Sequence, residues 1–322
     1  MFGDKSTEFP QRIGFFLVPQ FSMMAFFSAI EPLRVANRMA GTPVYRWHVL
    51  SRDGAPVEAS NGMSLPAENS IDDAPPFATL IVCASFEPHL HIDKAVLKWL
   101  RALDRQGADL GSLDTGCYLL AKAGLLEGYR TTVHWEAMES FTEEFPDIEV
   151  VPNLFEIDRR RFSCSGGTAA IDMMLHMIAL QHGHEIAASI SEQFIHDRIR
   201  TARDHQRMAL HARLGTSAPK LVRAIGLMEA NLEEPLSPGR VAAEAGLSLR
   251  QLERLFHRHL KSTPRRTYHE LRLNRARSLL LHTGMPVLDV GIACGFASAA
   301  HFSRSYRAFF GKPPRAERGA PE

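Results

Sequence analysis

Apolar residues in the first half of the chain follow two rhythms. Short apolar runs at 13–19 (IGFFLVP) and 79–84 (TLIVCA) predict buried strands, and 45–51 (YRWHVLS) also reads as a strand. Longer stretches at 22–40 (SMMAFFSAIEPLRVANRMA) and 93–107 (DKAVLKWLRALDRQG) are helix-like; the second is amphipathic and stops at Gly107. ADLGSLD (108–114) predicts a strand leading into a helix, TGCYLLAKAGLL (115–126). EVVPNLFEID and RFSCS predict further strands, and GTAAIDMMLHMIALQHG (167–183) a mostly apolar helix ended by Gly183. Strands alternating with helices predict an α/β domain with a mainly parallel sheet covered on both faces.

From 184 onward the strand pattern vanishes. SISEQFIHDRIRTARDHQRMALHARLG (189–215) is polar and predicts a helical connector. GTSAPK (215–220) is a turn cluster, and after it helix follows helix, broken at Pro235, Gly246, Pro264, Gly284–Pro286, Gly295 and Gly311. The expected layout is an α/β domain over 1–184, a connector over 185–215 and an all-α domain over 216–322.

The all-α part repeats itself. VAAEAGLSLRQLERLFHRHLKSTPRR begins at Val241 and VGIACGFASAAHFSRSYRAFFGKPPRA at Val290. Val241 and Gly246 match Val290 and Gly295 at an offset of 49; Arg254, Leu260, Pro264 and Arg265 match Arg304, Phe310, Pro314 and Arg315 at an offset of 50. The second copy therefore has one more residue in its turn. Each copy reads as a helix-turn-helix, about 237–260 and 286–310. A short small-residue helix ends at a Gly, which tolerates a left-handed backbone. A Ser (Ser248, Ser298) then caps the next helix. That helix carries Arg250, Gln251 and Arg254 in one copy, and Ala300, His301, Ser303 and Arg304 in the other. Such a helix fits a major groove, where Arg pairs with guanine and Gln with adenine. PRRTYHELRLNRARSLLLHT (264–283) predicts a rod between the copies, with Arg265, Arg266, Arg272, Arg275 and Arg277 available to phosphates.

Charge follows the same division. The net charge of +1 hides 17 Lys and Arg against 9 Asp and Glu in 218–322, and 20 against 27 in the rest. A basic tail on an acidic body fits a nucleic-acid-binding module joined to something else. The N-terminus carries no signal-peptide pattern, and no run approaches the roughly 18 apolar residues of a membrane span. Cys83, Cys117, Cys164 and Cys294 are scattered without a paired spacing, which predicts neither disulfides nor a zinc site and fits a reducing cytoplasm. No cofactor is expected.

GFASAAHFSRSYRAFFGKPPRA resembles the C-terminal signature of the bacterial AraC/XylS regulators. LSLRQLERLFHRHLKSTP and LRLNRARSLLL resemble that family's first recognition helix and linker helix. The resemblance implies base contacts from Arg250 and Arg254 in the first helix, and from Ala300, Ser303 and Arg304 in the second. Ala299 and Ala300 are small where many relatives carry longer polar side chains, so the second helix is expected to read fewer bases.

LGSLDTGCYLLAKAGLLEGYRTTVHWE (110–136) resembles the nucleophile elbow of PfpI-type and class I amidotransferase-like folds, a flavodoxin-like sandwich. Those enzymes read Cys-Thr-Gly; here the residues are Asp114-Thr115-Gly116. A carboxylate cannot replace their thiolate. His134 matches the position of their catalytic histidine, and Cys117, one residue past the elbow, is a poor substitute nucleophile. Together with FLVPQFSMMAFFSAIEPLRVAN, ASNGM and SCSGGTAAIDMMLHMI, this resembles the GlxA-like branch of the family. In that branch the old catalytic pocket is thought to sense a ligand. Candidate lining residues are Glu31, Asp114, Cys117, His134, Trp135 and Thr168. An aromatic ring among carboxylates suits a cation. The resemblance implies a quaternary amine such as betaine or carnitine, or an amino acid.

The expectation is therefore a homodimeric activator that binds promoter DNA, answers a small-molecule effector and works with RNA polymerase. The competing readings are a working amidase or hydrolase fused to a DNA-binding tail, and a scaffold that merely carries both folds.

Overall fold

The computed structural model describes residues 10–216 and 218–317. Contacts divide the chain into two compact units, 1–206 and 207–322.

The first unit is built on seven strands: β1 (Gln11–Leu17), β2 (Tyr45–Ser51), β3 (Asn69–Ser70), β4 (Thr79–Ala84), β5 (Asp109–Asp114), β6 (Phe155–Asp158) and β7 (Arg161–Cys164). Their order is β6-β7-β5-β4-β1-β2-β3. All neighbours are parallel except β6 and β7, which form an antiparallel edge hairpin. Side chains alternate across the sheet because successive residues of a strand point to opposite faces. Ile13, Phe15, Ile81 and Cys83 join one core cluster; Phe16, Leu80, Val82 and Ala84 join the other.

Helices cover both faces. The first cluster is covered by α1 (Met23–Ala40), α5 (Ala169–His182) and α6 (His184–Gln193). The second is covered by α2 (Lys94–Arg105), α3 (Cys117–Lys122) and α4 (Met138–Glu144). Ser22 caps α1 by accepting from the Ala25 amide, and Asp93 caps α2 by accepting from the Val96 amide. The helix expected over 115–126 is confined to α3.

The expected helical connector is not a single helix. Helix α6 ends at Gln193, and helix resumes only at α7 (Leu210–Arg213). Between them, Phe194, Ile199 and Ala202 pack on the core of the first unit, and Arg200 bonds to buried Asp172. These tertiary contacts override a helix propensity worth only tenths of a kcal/mol per residue, roughly.

The second unit continues with α8 (Pro219–Glu229), α9 (Pro238–Glu244), α10 (Leu249–Leu260), α11 (Pro264–His282), α12 (Val287–Ala293) and α13 (Ala299–Phe310). It has two small cores. Leu252, Phe256 and Tyr268 belong to one; Leu279, Val290, Phe302 and Tyr306 to the other. No described helix is long and apolar enough to cross a membrane.

Candidate functional site

The second unit holds two helix-turn-helix pairs, α9–α10 and α12–α13, on either side of α11. Gly246 and Gly295 adopt left-handed backbones in the two turns. Ser248 Oγ accepts from the Gln251 amide at 3.3 Å, and Ser298 Oγ from the His301 amide at 3.2 Å. Both serines are thus N-caps. Helix α10 buries Leu252 and Phe256 and exposes Arg250, Gln251 and Arg254. Helix α13 buries Phe302 and Tyr306, exposes Ala300, His301 and Arg304, and leaves Ser303 half-buried.

Two of these side chains are already engaged. Gln251 Oε1 accepts from the Ser248 amide at 2.8 Å, completing a capping box. Its oxygen would therefore have to serve the cap and adenine at once in a two-bond pairing, while its NH2 group remains a donor. The His301 ring lies 5.7 Å from Phe296 and 6.1 Å from His269.

The expected row of phosphate-binding arginines on α11 is mixed. Arg272 turns inward: it donates from Nε to the Cys294 carbonyl at 2.7 Å and from Nη2 to the Gly295 carbonyl at 2.5 Å. Its guanidinium also stacks 4.3 Å from the Phe296 ring centre. Arg277 pairs with Glu317 at 2.6 Å, and Arg266 with Glu270 at 2.9 Å. Arg265 is exposed. Helical spacing marked these positions, but only the packing separates braces from outward-facing arginines.

In the first unit, β5 ends at Asp114, and the chain turns sharply into α3. Asp114 has φ of 60°, the uncommon left-handed region for a non-glycine residue. The turn is tight: a Cβ on Gly116 would lie 2.3 Å from the Val82 carbonyl oxygen. Asp114 is 7 % exposed. Its Oδ1 is buried and has no hydrogen-bond partner among the described residues. Burial pushes its pKa up to about 8, against a lowering hydrogen bond from Ser85; the charge of Glu136 adds to the rise. Asp114 is therefore mostly protonated at neutral pH.

Of the other expected residues, His134 and Cys117 are tied directly to Asp114. The His134 amide donates to the Asp114 carbonyl oxygen at 3.3 Å, and its Nδ1 accepts from the Glu136 amide at 3.4 Å. Trp135 is exposed, with its ring centre 5.6 Å from that of His134. Cys117 is fully buried, and burial pushes its thiol pKa far up, with Asp114 adding to the rise. It packs in the core as a small apolar side chain. Thr168 is exposed and accepts from Arg200 Nη2 at 2.9 Å. The Glu31 carboxylate is occupied by Arg34, at 2.7 Å. Sequence reasoning missed Ser85, Glu136 and Gly166. A Cβ on Gly166 would lie 2.9 Å from the Asp114 Cβ. The available signal was topological: Ser85 directly follows β4, at the carboxyl end of a neighbouring parallel strand, where open α/β sheets bind ligands.

The DJ-1/PfpI family model matches residues 11–180, and a helix-turn-helix domain model matches 241–320. The HTH-type transcriptional regulator CdhR of Pseudomonas aeruginosa is 50% identical over 96% of this chain and 91% of its own length. The HTH-type transcriptional regulator GbdR of the same species is 48% identical over 96% and 84%. The chain belongs to the GlxA-like branch of the AraC-type regulators. The HTH-type transcriptional regulator GlxA of Rhizobium meliloti is itself 37% identical over 94% of both chains. In this AraC-type chain the DJ-1/PfpI elbow keeps its Thr-Gly turn and carries aspartate in place of the nucleophile.

Proposed function

We propose that this AraC-type chain is a DNA-binding transcription regulator with a catalytically silent elbow pocket as its receptor. Its two capped helices, α10 and α13, enter successive major-groove segments. Arg250, Arg254 and Arg304 supply base contacts, and the small Ala300 leaves the second helix a sparser reader. The working form is a homodimer on double-stranded promoter DNA, activating through RNA polymerase.

The receptor reading rests on one observation, the buried, unpartnered Oδ1 of Asp114. An orphaned polar atom is costly to bury and calls for a partner. A cation meets that need through charge, once it has displaced the Asp114 proton. It would find Glu136 close enough to act on Asp114, and the rings of His134 and Trp135 beside it. The ligand is a small nitrogenous metabolite, a quaternary amine or an amino acid. It acts by binding two arrangements of the protein unequally.

Two experiments test this. Gel shifts on upstream regions from the chain's own genomic neighbourhood should show specific binding that weakens steeply with salt. Absent or salt-insensitive binding refutes the DNA reading. Calorimetry with glycine betaine, carnitine, dimethylglycine and arginine should give heat with one of them, and silence with all four removes the ligand class. Thiol-dependent hydrolysis by the purified protein would overturn the silent pocket.

A further inference from the structure

Asp114 stands between two walls. One is the turn before α5, where Gly166 abuts its side chain. The other is the 131–134 segment, where the His134 amide bonds to its carbonyl oxygen. Residues 196–206 are tied to both.

On the α5 side, Arg200 donates from its amide to Asp172 Oδ1 at 2.6 Å and from Nε to Oδ2 at 2.8 Å. Its Nη2 reaches Thr168 Oγ1, and His196 Nε2 lies 2.9 Å from Asp172 Oδ1. On the His134 side, Gln206 Nε2 lies 3.0 Å from Thr132 Oγ1, 3.0 Å from the Val133 carbonyl oxygen and 2.8 Å from that of Asn153. Leu154 joins the two sides. Its amide donates to the Ala202 carbonyl at 2.8 Å, and its own carbonyl accepts from the Ser165 amide at 2.8 Å.

Asp172 is fully buried, so an arginine partner is needed there whatever the segment does. That need accounts for one anchor. It does not account for Thr168, Leu154 and Gln206, which fasten the same segment to the stretches of chain that flank Asp114. The first compact unit ends at Gln206, so the segment runs directly into the DNA-binding unit.

We propose that residues 196–206 are an output strap, held by Arg200 to one wall of the Asp114 pocket and by Gln206 to the other, that senses displacement of either wall. The strap builds on the receptor reading above, but its mechanical coupling can be tested with no ligand present. A molecule seated against Asp114 moves the 165–168 turn or the 132–134 segment. Each carries anchors of the strap, so the strap loosens or tightens with occupancy.

Hydrogen exchange on the full-length chain tests the coupling. Two variants disturb the pocket in opposite senses. Gly166→Ala adds a methyl group against Asp114, and Asp114→Gly removes the side chain while suiting the left-handed backbone. The reporters are the Arg200 amide and peptides over 196–206; strand β2, three strands from β5, is the control. Exchange in the strap should accelerate about tenfold while β2 keeps its rate. If Gly166→Ala does not fold, Asp114→Gly decides alone. Strap exchange unchanged in every folded variant overturns the proposal, and so does equal acceleration in strap and β2, which is general loosening. Either failure leaves the receptor reading to its own calorimetric test.

Discussion

Gly295, in the turn of the second helix-turn-helix, lies against the backbone of Glu233 in the loop before the first. A Cβ on Gly295 would sit 2.6 Å from the Glu233 carbonyl oxygen and 2.8 Å from that of Leu232. The two DNA-reading halves are therefore braced directly against each other as well as through α11. Gly295→Ala should cost about 1–2 kcal/mol from the left-handed backbone alone, with the clash in addition. The melting transition of the DNA-binding unit should fall, and affinity for an operator spanning both helices should fall further than stability alone explains. Unchanged melting and affinity would mean that the halves are not braced here.

Arg272 braces the same turn from α11. Arg272→Met keeps much of the packing on Phe296 and loses two charge-assisted bonds, each worth about 1.5–3 kcal/mol. Stability should drop, while the salt dependence of DNA binding keeps its slope. Arg265→Ala should do the reverse, lowering the slope by about one with little loss of stability. Salt titrations of binding, beside thermal melts, separate the two roles.

Arg250→Ala, Arg254→Ala and Arg304→Ala should each cost about 1–3 kcal/mol of binding and relax preference at one base position. Uniform weakening across all sequences would assign that arginine to a phosphate instead. Gln251→Ala should cost α10 about 0.5–1.5 kcal/mol through the lost bond from the Ser248 amide, while Ser248 Oγ still caps the helix. Gln251→Glu keeps the capping box, so its melting temperature should stay near that of the unsubstituted protein.

Asp114 gives the first unit a pH signature. Its folded value of about 8 lies above the value of about 3.9 for an exposed aspartate. Between these values the folded chain holds a proton that the unfolded chain has lost. The contribution is complete below the unfolded value and declines as pH rises through the folded one. Asp114→Asn does not ionise and suits the same backbone. Its melting temperature should gain on that of the unsubstituted protein steadily from pH 5 to 8. A constant difference would mean that Asp114 is ionised throughout. A bound cation should also expel the Asp114 proton at neutral pH, so calorimetric heats should scale with the ionisation enthalpy of the buffer.

Much of the fold was legible because its signals are local. Uninterrupted runs such as Thr79–Ala84 need no context to read as buried strands, and Ser248 and Ser298 announce the starts of α10 and α13. The segment 194–209 was not legible. Its polar, helix-compatible residues are held by Asp172, Leu154 and Thr132, which lie tens of residues away in the chain. Arg272 was misassigned for the same reason. Its spacing on α11 resembles that of its exposed neighbours, and only the position of Cys294 and Gly295 turns it inward.

The order of residues by itself determined the two-part chain, the doubled helix-turn-helix and the loss of a thiol nucleophile at the elbow. Each is written in composition, periodicity or the identity of one side chain. The tertiary structure alone decided which arginines are braces, that Gln251 is occupied as a cap, and that Asp114 holds its proton. Those outcomes depend on burial and on partners remote in the chain, because the energy of a polar group is set by what surrounds it in space.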